Sequence, residues 1–347
     1  MPNLTNLLQM LLAIFIGVMG SILFIFLHLP LPWLLGAIFT SSIAIRFQNI
    51  PISSPKIFST PARVIIGLTI GSAFTPEILE NLNTYLYSIL LIIPYTIIVA
   101  FAGMYYYYKV LNFDKRTAFF SSMPGGVIEM VILGEQLKAD TSKITLVQSS
   151  RLLFIVLTLP FIIQYIFHID ISGNKLITTP INEIYLPDFF YLAIIGFLGA
   201  VGAKKLNVSA AYLIGPMILS IIAFSSGFVH SKPPDELLKF VQVIFGTIIG
   251  FTFKGVTLKV IAKTLIGTFG HFVILALVSA IFISIVYFVF DFPIISILLA
   301  FSPGGQAEIN LIAILVAANI PYITVHHIVR LFIVMNIAPL LAKRIKD

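Results

Sequence analysis

Four ionisable residues lie in apolar parts of the sequence and recur at one fixed spacing. Glu129 and Glu308 each end a Pro-Gly-Gly-x-x-Glu motif, and Arg151 and Arg330 each follow 22 positions later. Near the start of a helix, the helix dipole favours a carboxylate, whereas a low dielectric favours the protonated acid. An acid under both influences is a candidate carrier of a proton or a cation. The alternative is that each acid only caps its helix.

The motifs that precede the two acids predict breaks in membrane-embedded helices, over roughly 116–138 and 294–318. Proline removes a backbone N–H and two glycines permit a sharp turn, so unpaired backbone groups remain at membrane depth. Such groups are tolerated beside protein, water or a ligand, and the helix that follows directs its positive end into the protein. A simple packing kink is the alternative interpretation. The candidate substrate- and ion-binding residues are Pro124, Gly125, Gly126, Glu129, Pro303, Gly304, Gly305, Glu308, Arg151 and Arg330.

The two arginines are embedded in apolar helices, each followed by three apolar residues. At about 1.5 Å per residue both lie roughly 12–13 Å deep, near the middle of a hydrocarbon layer of about 30 Å. Arg151 and Arg330 either bind a ligand or act as structural partners of the two glutamates. If all four charges meet and cancel, the positive helix ends remain, which favours an anionic substrate.

The composition places the chain in a membrane. Hydrophobic residues make up 59% and charged residues 10% of its 347 positions, and apolar runs of roughly twenty residues recur throughout. The absence of cysteine excludes disulfides, thiolate metal sites and cysteine nucleophiles. No Lys or Arg precedes the first apolar run, so residues 7–27 indicate a retained membrane helix and not a signal peptide.

The spacing of the two motifs, 303 minus 124 or 179 positions, extends to much of the chain and indicates a duplication. The predicted fold is an all-α polytopic membrane protein, with a first repeat over 1–170, a linker over 171–186 and a second repeat over 187–347. The ten predicted helices span roughly 7–27, 31–46, 60–75, 84–109, 144–168, 187–203, 208–229, 240–253, 264–290 and 321–342. The glycines that the same shift pairs are Gly17 with Gly196, Gly20 with Gly199, Gly36 with Gly215, Gly67 with Gly246 and Gly71 with Gly250.

Basic residues favour an inverted relation between the repeats, because Lys and Arg concentrate in short cytoplasmic loops. If each broken segment enters and leaves on one side and the N-terminus is cytoplasmic, sixteen basic residues lie inside and only Lys175, Lys232 and Lys239 lie outside. Full crossing by both segments places Lys204 and Lys205 outside instead. The net charge of +7 then reflects the membrane topology and does not indicate binding of nucleic acid.

Three segments resemble the AbrB family of duplicated bacterial membrane proteins over nearly the whole chain. They are Leu-Pro-x-x-x-Leu-Leu-Gly-Ala at Leu29–Ala37, Gly-x-x-x-Gly-x-x-Phe-Thr-Pro at Gly67–Pro76 and Met-Pro-Gly-Gly-x-x-Glu-Met at Met123–Met130. The second copy departs from them, since Lys254 replaces Thr75, Gln242 replaces Arg63 and Ser302 replaces Met123. The resemblance implies a multi-pass protein of the bacterial inner (plasma) membrane.

The family carries labels as a regulator of gene expression and as an ammonia monooxygenase. This sequence has neither a DNA-reading module nor a copper site, so the labels imply at most an indirect regulatory effect. Adjacent His326 and His327 diverge by about 100° on a helix and cannot both bind one metal in the usual i, i+4 manner. We expect no enzymatic activity, metal or cofactor, because no HExxH, phosphate-loop or Ser/His/Asp signature is present.

Two functions remain open at the level of sequence. One is a secondary transporter of a small, anionic solute, coupled to an ion and working by alternating access. The other is a membrane-embedded regulator or sensor without net transport. The expected partners are the lipid bilayer, a solute and a coupling ion, with no nucleic acid, and a homo-oligomer stays open beside a monomer.

Overall fold

The structure, a computed structural model, describes residues 4–47, 49–80, 82–171, 180–342 and 344–345, and these residues form helices and no strands. In the first half of the chain the α-helices are α1 (Leu4–Phe26), α2 (Pro32–Ala44), α3 (Ser59–Gly71), α4 (Pro76–Glu80), α5 (Leu86–Leu90), α6 (Ile92–Lys109), α7 (Lys115–Ser122), α8 (Val127–Gln136) and α9 (Thr141–Phe161). In the second half they are α10 (Leu186–Lys205), α11 (Ala211–Ser225), α12 (Asp235–Gly250), α13 (Leu258–Val289), α14 (Ile294–Ala300), α15 (Gln306–Leu315) and α16 (Ile320–Ala342).

Seven helical stretches within the described residues are long and apolar enough to cross a membrane. They are α1, Leu82–Lys109, Thr141–Ile166, α10, Asp235–Phe253, α13 and α16. The other three predicted spans correspond to the shorter helices α2 and α3, with 13 residues each, and α11, with 15. The all-helical prediction is confirmed, and ten crossings stay a prediction.

The chain divides into two compact units, and each unit takes residues from both halves of the sequence. One unit comprises 1–80, 160–254 and 310–321, and the other comprises 81–159, 255–309 and 322–347. All ten candidate site residues belong to the second unit. Of the predicted linker at 171–186, residues 172–179 lie outside the described part of the chain.

Glycine contacts hold neighbouring helices of the first unit together. Gly20 on α1 faces Gly36 on α2 so closely that a methyl group on either glycine would overlap the backbone of the other. Gly199 on α10 and Gly215 on α11 repeat this arrangement. Small residues allow the backbones of membrane helices to approach each other in this way.

A second set of contacts joins helices from different halves of the sequence within the same unit. A methyl group on Gly67 of α3 would overlap the carbonyl oxygen of Leu213 on α11, and one on Gly246 of α12 would overlap that of Leu34 on α2. Leu34 and Leu213 are themselves 179 positions apart. The two halves thus supply equivalent residues to equivalent contacts.

The second unit contains both Pro-Gly-Gly motifs, each in a break between two short helices. Asp114 begins α7 by accepting a hydrogen bond from the Thr117 N–H at 2.8 Å. This helix ends at Ser122, and α8 begins only at Val127. Similarly, α14 ends at Ala300 and α15 begins at Gln306. A buried apolar cluster packs around the first break, formed by Ala100, Phe119, Phe120, Met123, Met130, Ile144, Val334, Ala338 and Ala342.

Candidate functional site

The first break is held by two side chains of α9. Arg151, only 1% exposed, donates from Nη1 to the carbonyl oxygen of Met123 at 2.9 Å and from Nη2 to that of Gly125 at 3.1 Å. Gln148 donates from Nε2 to the carbonyl oxygens of Phe120 at 2.8 Å and Met123 at 3.1 Å. These are carbonyl groups for which the interrupted helix has no backbone donor, and leaving one buried and unpaired costs about 1–3 kcal/mol.

The second break is held by the equivalent residues of α16. Arg330 donates from Nη1 to the carbonyl oxygen of Ser302 at 2.6 Å and from Nη2 to that of Gly304 at 2.9 Å. His327 lies 2.9 Å from the carbonyl oxygen of Leu299 through Nε2 and 3.1 Å from Arg330 Nη2 through Nδ1. Every donor and acceptor carbonyl here lies 179 positions after its counterpart in the first break.

One carbonyl of the second break has partners with no counterpart in the first half. The carbonyl oxygen of Phe301 accepts from the Tyr95 hydroxyl at 2.6 Å and from the Ser279 hydroxyl at 3.1 Å. At the first break, a methyl group on Gly103 would meet Nε2 of His271 at 2.5 Å and Cβ of Ser122 at 2.8 Å. At each break an arginine thus donates to two backbone carbonyl groups, an arrangement that we call the arginine clasp. The other polar neighbours of the two breaks differ.

The two glutamates lie in the first turns of α8 and α15 and are half-buried. In each, Oε2 folds back over the glycine before the helix, so a methyl group on Gly126 or Gly305 would overlap the carboxylate of Glu129 or Glu308. None of the motif glycines has a positive φ, since among the described glycines only Gly227 and Gly255 do. The glycines at 126 and 305 therefore leave space for the carboxylate and do not serve a left-handed turn.

The arginines hydrogen-bond backbone carbonyl groups, and within the described chain neither forms an ion pair with Glu129 or Glu308. The sequence left two roles open for Arg151, which are binding a ligand and pairing with the glutamates. In the structure Arg151 has a structural role, but it hydrogen-bonds the backbone and not the acids. The guanidinium charges nevertheless remain beside both breaks, with Nε of Arg151 buried and without a partner. Positive charge is thus concentrated where the carboxylates lie.

The helices α9 and α16 each touch both breaks. A methyl group on Gly125 would come within 3.0 Å of Val334 on α16, and one on Gly304 within 3.3 Å of Ile155 on α9. Ile155 and Val334 are again 179 positions apart. Both breaks thus contact the same pair of helices.

Sequence reasoning missed Gln148, His327 and Tyr95 as partners of the breaks. Gln148 and His327 each precede a buried arginine by three positions, which places the two side chains on one helix face. That spacing could have identified both residues from the sequence. It is hard to recognise, because the residue at this position is glutamine in the first half and histidine in the second. Tyr95 gave no signal, because its partner is 206 residues away. Within the described residues, no group of three or more His, Asp or Glu could hold a metal ion.

Comparison with known proteins places the chain in a family. The model of the AbrB family, described as "Transition state regulatory protein AbrB", matches residues 33–346, and the chain belongs to this family. It is 24% identical over 327 residues to "Putative regulator AbrB" of Escherichia coli (strain K12), covering 93% of this chain and 92% of the relative. It is 25% identical over 298 residues to "Uncharacterized protein YhjN" of Bacillus subtilis (strain 168), covering 80% and 76%. No solved structure matches the chain.

Proposed function

We propose that this protein is a secondary transporter of a small anionic solute, driven by a coupling ion through alternating access across the bacterial inner membrane. The observation that carries the proposal is the pair of interrupted helices, α7–α8 and α14–α15, clasped at equivalent carbonyl groups by Arg151 and Arg330. Secondary transporters bind substrate and ions at such interruptions, where helix ends face a cavity inside the protein.

The proposed topology has ten crossings, with the two repeats inverted and both termini cytoplasmic. The distribution of basic residues supports inversion, since sixteen lie inside and three outside. The paired contacts of Gly67 with Leu213 and of Gly246 with Leu34 are those expected if a two-fold axis relates the halves. Inverted halves favour transport, because two like halves of opposite orientation give outward-open and inward-open states of similar energy.

In this proposal Glu129 and Glu308 carry the coupling proton or cation, and the helix ends with the arginines attract the anion. Each carboxylate is half-buried at a helix start. Both arginines keep their charge in the site while their donors serve backbone carbonyl groups. The chain performs no catalytic step in this scheme and holds no cofactor, and its partners are lipid, solute and ion.

A membrane-embedded regulator is the second candidate, favoured by the name of the Escherichia coli relative. Such a protein uses the same site to bind a ligand and shift between conformations without net transport. A sensor needs one ligand site but not symmetric access from both sides. The presence of an arginine-clasped break in each half is the reason to prefer transport.

A counterflow assay on purified protein in liposomes tests the proposal. Candidate anions are first selected by their thermal stabilisation of the detergent-purified protein, because a ligand that binds only the folded state stabilises it. We expect one stabilising anion to undergo counterflow. A stabilising anion without counterflow would establish the sensor instead, and no stabilising anion would reject both uses of the site.

Glutamine substitution tests the role of the acids. Glu129→Gln and Glu308→Gln keep the shape and remove the titration, so counterflow should persist while ion-driven uptake is lost. Glu80→Gln, at an exposed position, is the matched control. Unchanged pH or sodium dependence in both variants would show that the carboxylates only cap their helices.

A further inference from the structure

His326 and His327 are adjacent and buried on α16, and their hydrogen bonds require opposite tautomers. Nδ1 of His326 lies 2.7 Å from the carbonyl oxygen of Tyr322, which can only accept, so Nδ1 carries the hydrogen. Nε2 then accepts from the Ser88 hydroxyl at 2.7 Å. His326 is therefore the neutral Nδ1–H form.

The hydrogen bonds of His327 have the reverse polarity. Nε2 faces the carbonyl oxygen of Leu299, so it carries the hydrogen. Nδ1 accepts from Arg330 Nη2, and a guanidinium can only donate. A second proton on His327 would break this bond and bring two cations to 3.1 Å, so His327 is locked in its neutral form.

His326, in contrast, can accept a second proton without losing a hydrogen bond. The Ser88 hydroxyl is both a donor and an acceptor, so it can rotate to accept from a protonated Nε2 and donate to the Tyr322 hydroxyl, 2.5 Å away. Two aromatic rings lie within the range that stabilises a cation, with centroid distances of 4.2 Å from Tyr322 and 5.7 Å from Phe301. The hydrogen bonds of His326 thus permit the charged imidazolium, although burial opposes the charge.

Within the described part of the chain, the side chains that contact the His326 site include no carboxylate that would neutralise its charge. Near His326, the 3-10 turn before α5 supplies Tyr85, which packs on Tyr322. Tyr95 on α6 donates to the carbonyl group of Phe301, whose ring lies beside His326. The remaining neighbours lie on α16 itself and are Tyr322, His327 and Arg330. Asp291 precedes Phe292, which packs on Tyr322, and is exposed. A proton on His326 therefore adds a net charge to this part of the second unit.

We propose that His326 is a proton-binding site, served by a relay that runs from Tyr322 through Ser88. Along α16, at about 1.5 Å per residue, Tyr322 lies about 3 Å and His326 about 9 Å from the first residue of the helix. Tyr322, Ser88 and His326 are all buried. The relay ends next to His327, which together with Arg330 binds backbone carbonyl groups of the second break. This site does not depend on transport, and it is distinct from the two glutamates.

Solid-state NMR of ¹⁵N-histidine-labelled protein in liposomes tests the inference, because the two neutral tautomers and the imidazolium have distinct nitrogen signals. The chain has six histidines, and His326→Gln and His327→Gln assign two of them. We expect His326 to change reversibly from the Nδ1–H form to the imidazolium as the pH falls, while His327 stays in the Nε2–H form. An Nε2–H tautomer for His326, or no titration before unfolding, would overturn the proposal.

A second variant keeps the test decisive if the glutamine variants do not fold. Ser88→Ala removes the acceptor that a charged Nε2–H needs, so the proton affinity of His326 should fall about tenfold or more. Ser225→Ala, which removes another helix-bonded hydroxyl in the first unit, should leave it unchanged. Equal titration of His326 in wild type and Ser88→Ala would reject the relay.

Discussion

Gln148 and His327 hold equivalent backbone carbonyl groups, although their side chains share little beyond one N–H donor. Gln148 Nε2 lies 2.8 Å from the Phe120 oxygen, and His327 Nε2 lies 2.9 Å from the Leu299 oxygen. What both positions require is therefore a buried donor at the end of an interrupted helix. His327 also accepts from Arg330 through Nδ1, whereas the acceptor Oε1 of Gln148 is buried without a hydrogen-bond partner.

This relationship predicts a graded response at position 327. His327→Gln retains a donor for the Leu299 carbonyl and should change stability little, whereas His327→Ala leaves that carbonyl with only the longer bond from the Ser302 N–H, at 3.3 Å, and should cost about 1 kcal/mol. The apparent melting temperature in detergent measures both. Equal effects of the two substitutions would contradict the proposed role of the donor.

Substitution of an arginine that binds one of the breaks should reduce stability more than substitution of His327. Arg151→Ala leaves the carbonyl of Gly125 without its only described side-chain donor and removes one of two at Met123, so we expect a loss of about 2–5 kcal/mol. Arg151→Lys should be intermediate, because one ammonium group cannot reproduce the planar fork. Lys263→Ala, at an exposed position of α13, is the control. A fully stable Arg151→Ala protein would show that water replaces the guanidinium.

Substitution by alanine should have opposite effects at a close-packed glycine and at a glycine with open space around it. Gly36→Ala places a methyl group against the Gly20 backbone, so helices α1 and α2 must separate and the protein should be strongly destabilised. Gly202→Ala, in α10, meets nothing within 4 Å and should stabilise by up to about 1 kcal/mol through helix propensity. Melting temperatures that do not separate these variants would contradict the packing.

Gly126→Ala forms an intermediate case, because its methyl group meets the end of a flexible side chain and not backbone. We expect little loss of stability but displacement of the Glu129 carboxylate from its position over the helix start. The double variant with Glu129→Ala should then show a coupling energy, since the two residues are in contact. Strictly additive effects would indicate that the carboxylate does not occupy this position.

Asp140 predicts a pH dependence of stability. Partial burial by itself raises the pKa of Asp140, but hydrogen bonds from the backbone N–H and Nζ of Lys143, together with its charge, outweigh this effect and lower the pKa. A lowered folded-state pKa contributes stability above the unfolded value of about 3.9, and this stability is lost as the pH falls through the folded value. Asp140→Ala should therefore cost about 0.5–2 kcal/mol at neutral pH, as expected for a helix cap, and less below about pH 4. Asp140→Asn should keep the cap and remove the pH dependence, as melting curves at neutral and acid pH would reveal.

The proposed topology can be tested with single cysteines, because the natural chain has none. Cysteines at Lys115 and Lys259 should react with an impermeant reagent only from the cytoplasm, and one at Lys175 only from outside. Labelling of Lys259 from outside would exclude the inverted arrangement.

The sequence by itself determined the helical class of this protein and identified the Pro-Gly-Gly segments and four ionisable residues as candidates. Apolar runs, Pro-Gly-Gly and the spacing of 179 positions are local or periodic features, so Glu129, Arg151 and their counterparts could be found without coordinates. The same is true of the approximate bounds of the predicted helices.

Only the tertiary structure decided what the buried groups touch. In the structure Arg151 donates to backbone carbonyl groups, the Glu129 carboxylate lies over Gly126, and Tyr95 donates to the Phe301 carbonyl. No local sequence pattern specifies these partners. The physical reason is that a buried polar group must be satisfied, but which of several donors satisfies it depends on how the helices pack. Helix packing also explains why each compact unit takes residues from both halves of the sequence, since glycine-lined faces bring helices of different halves together.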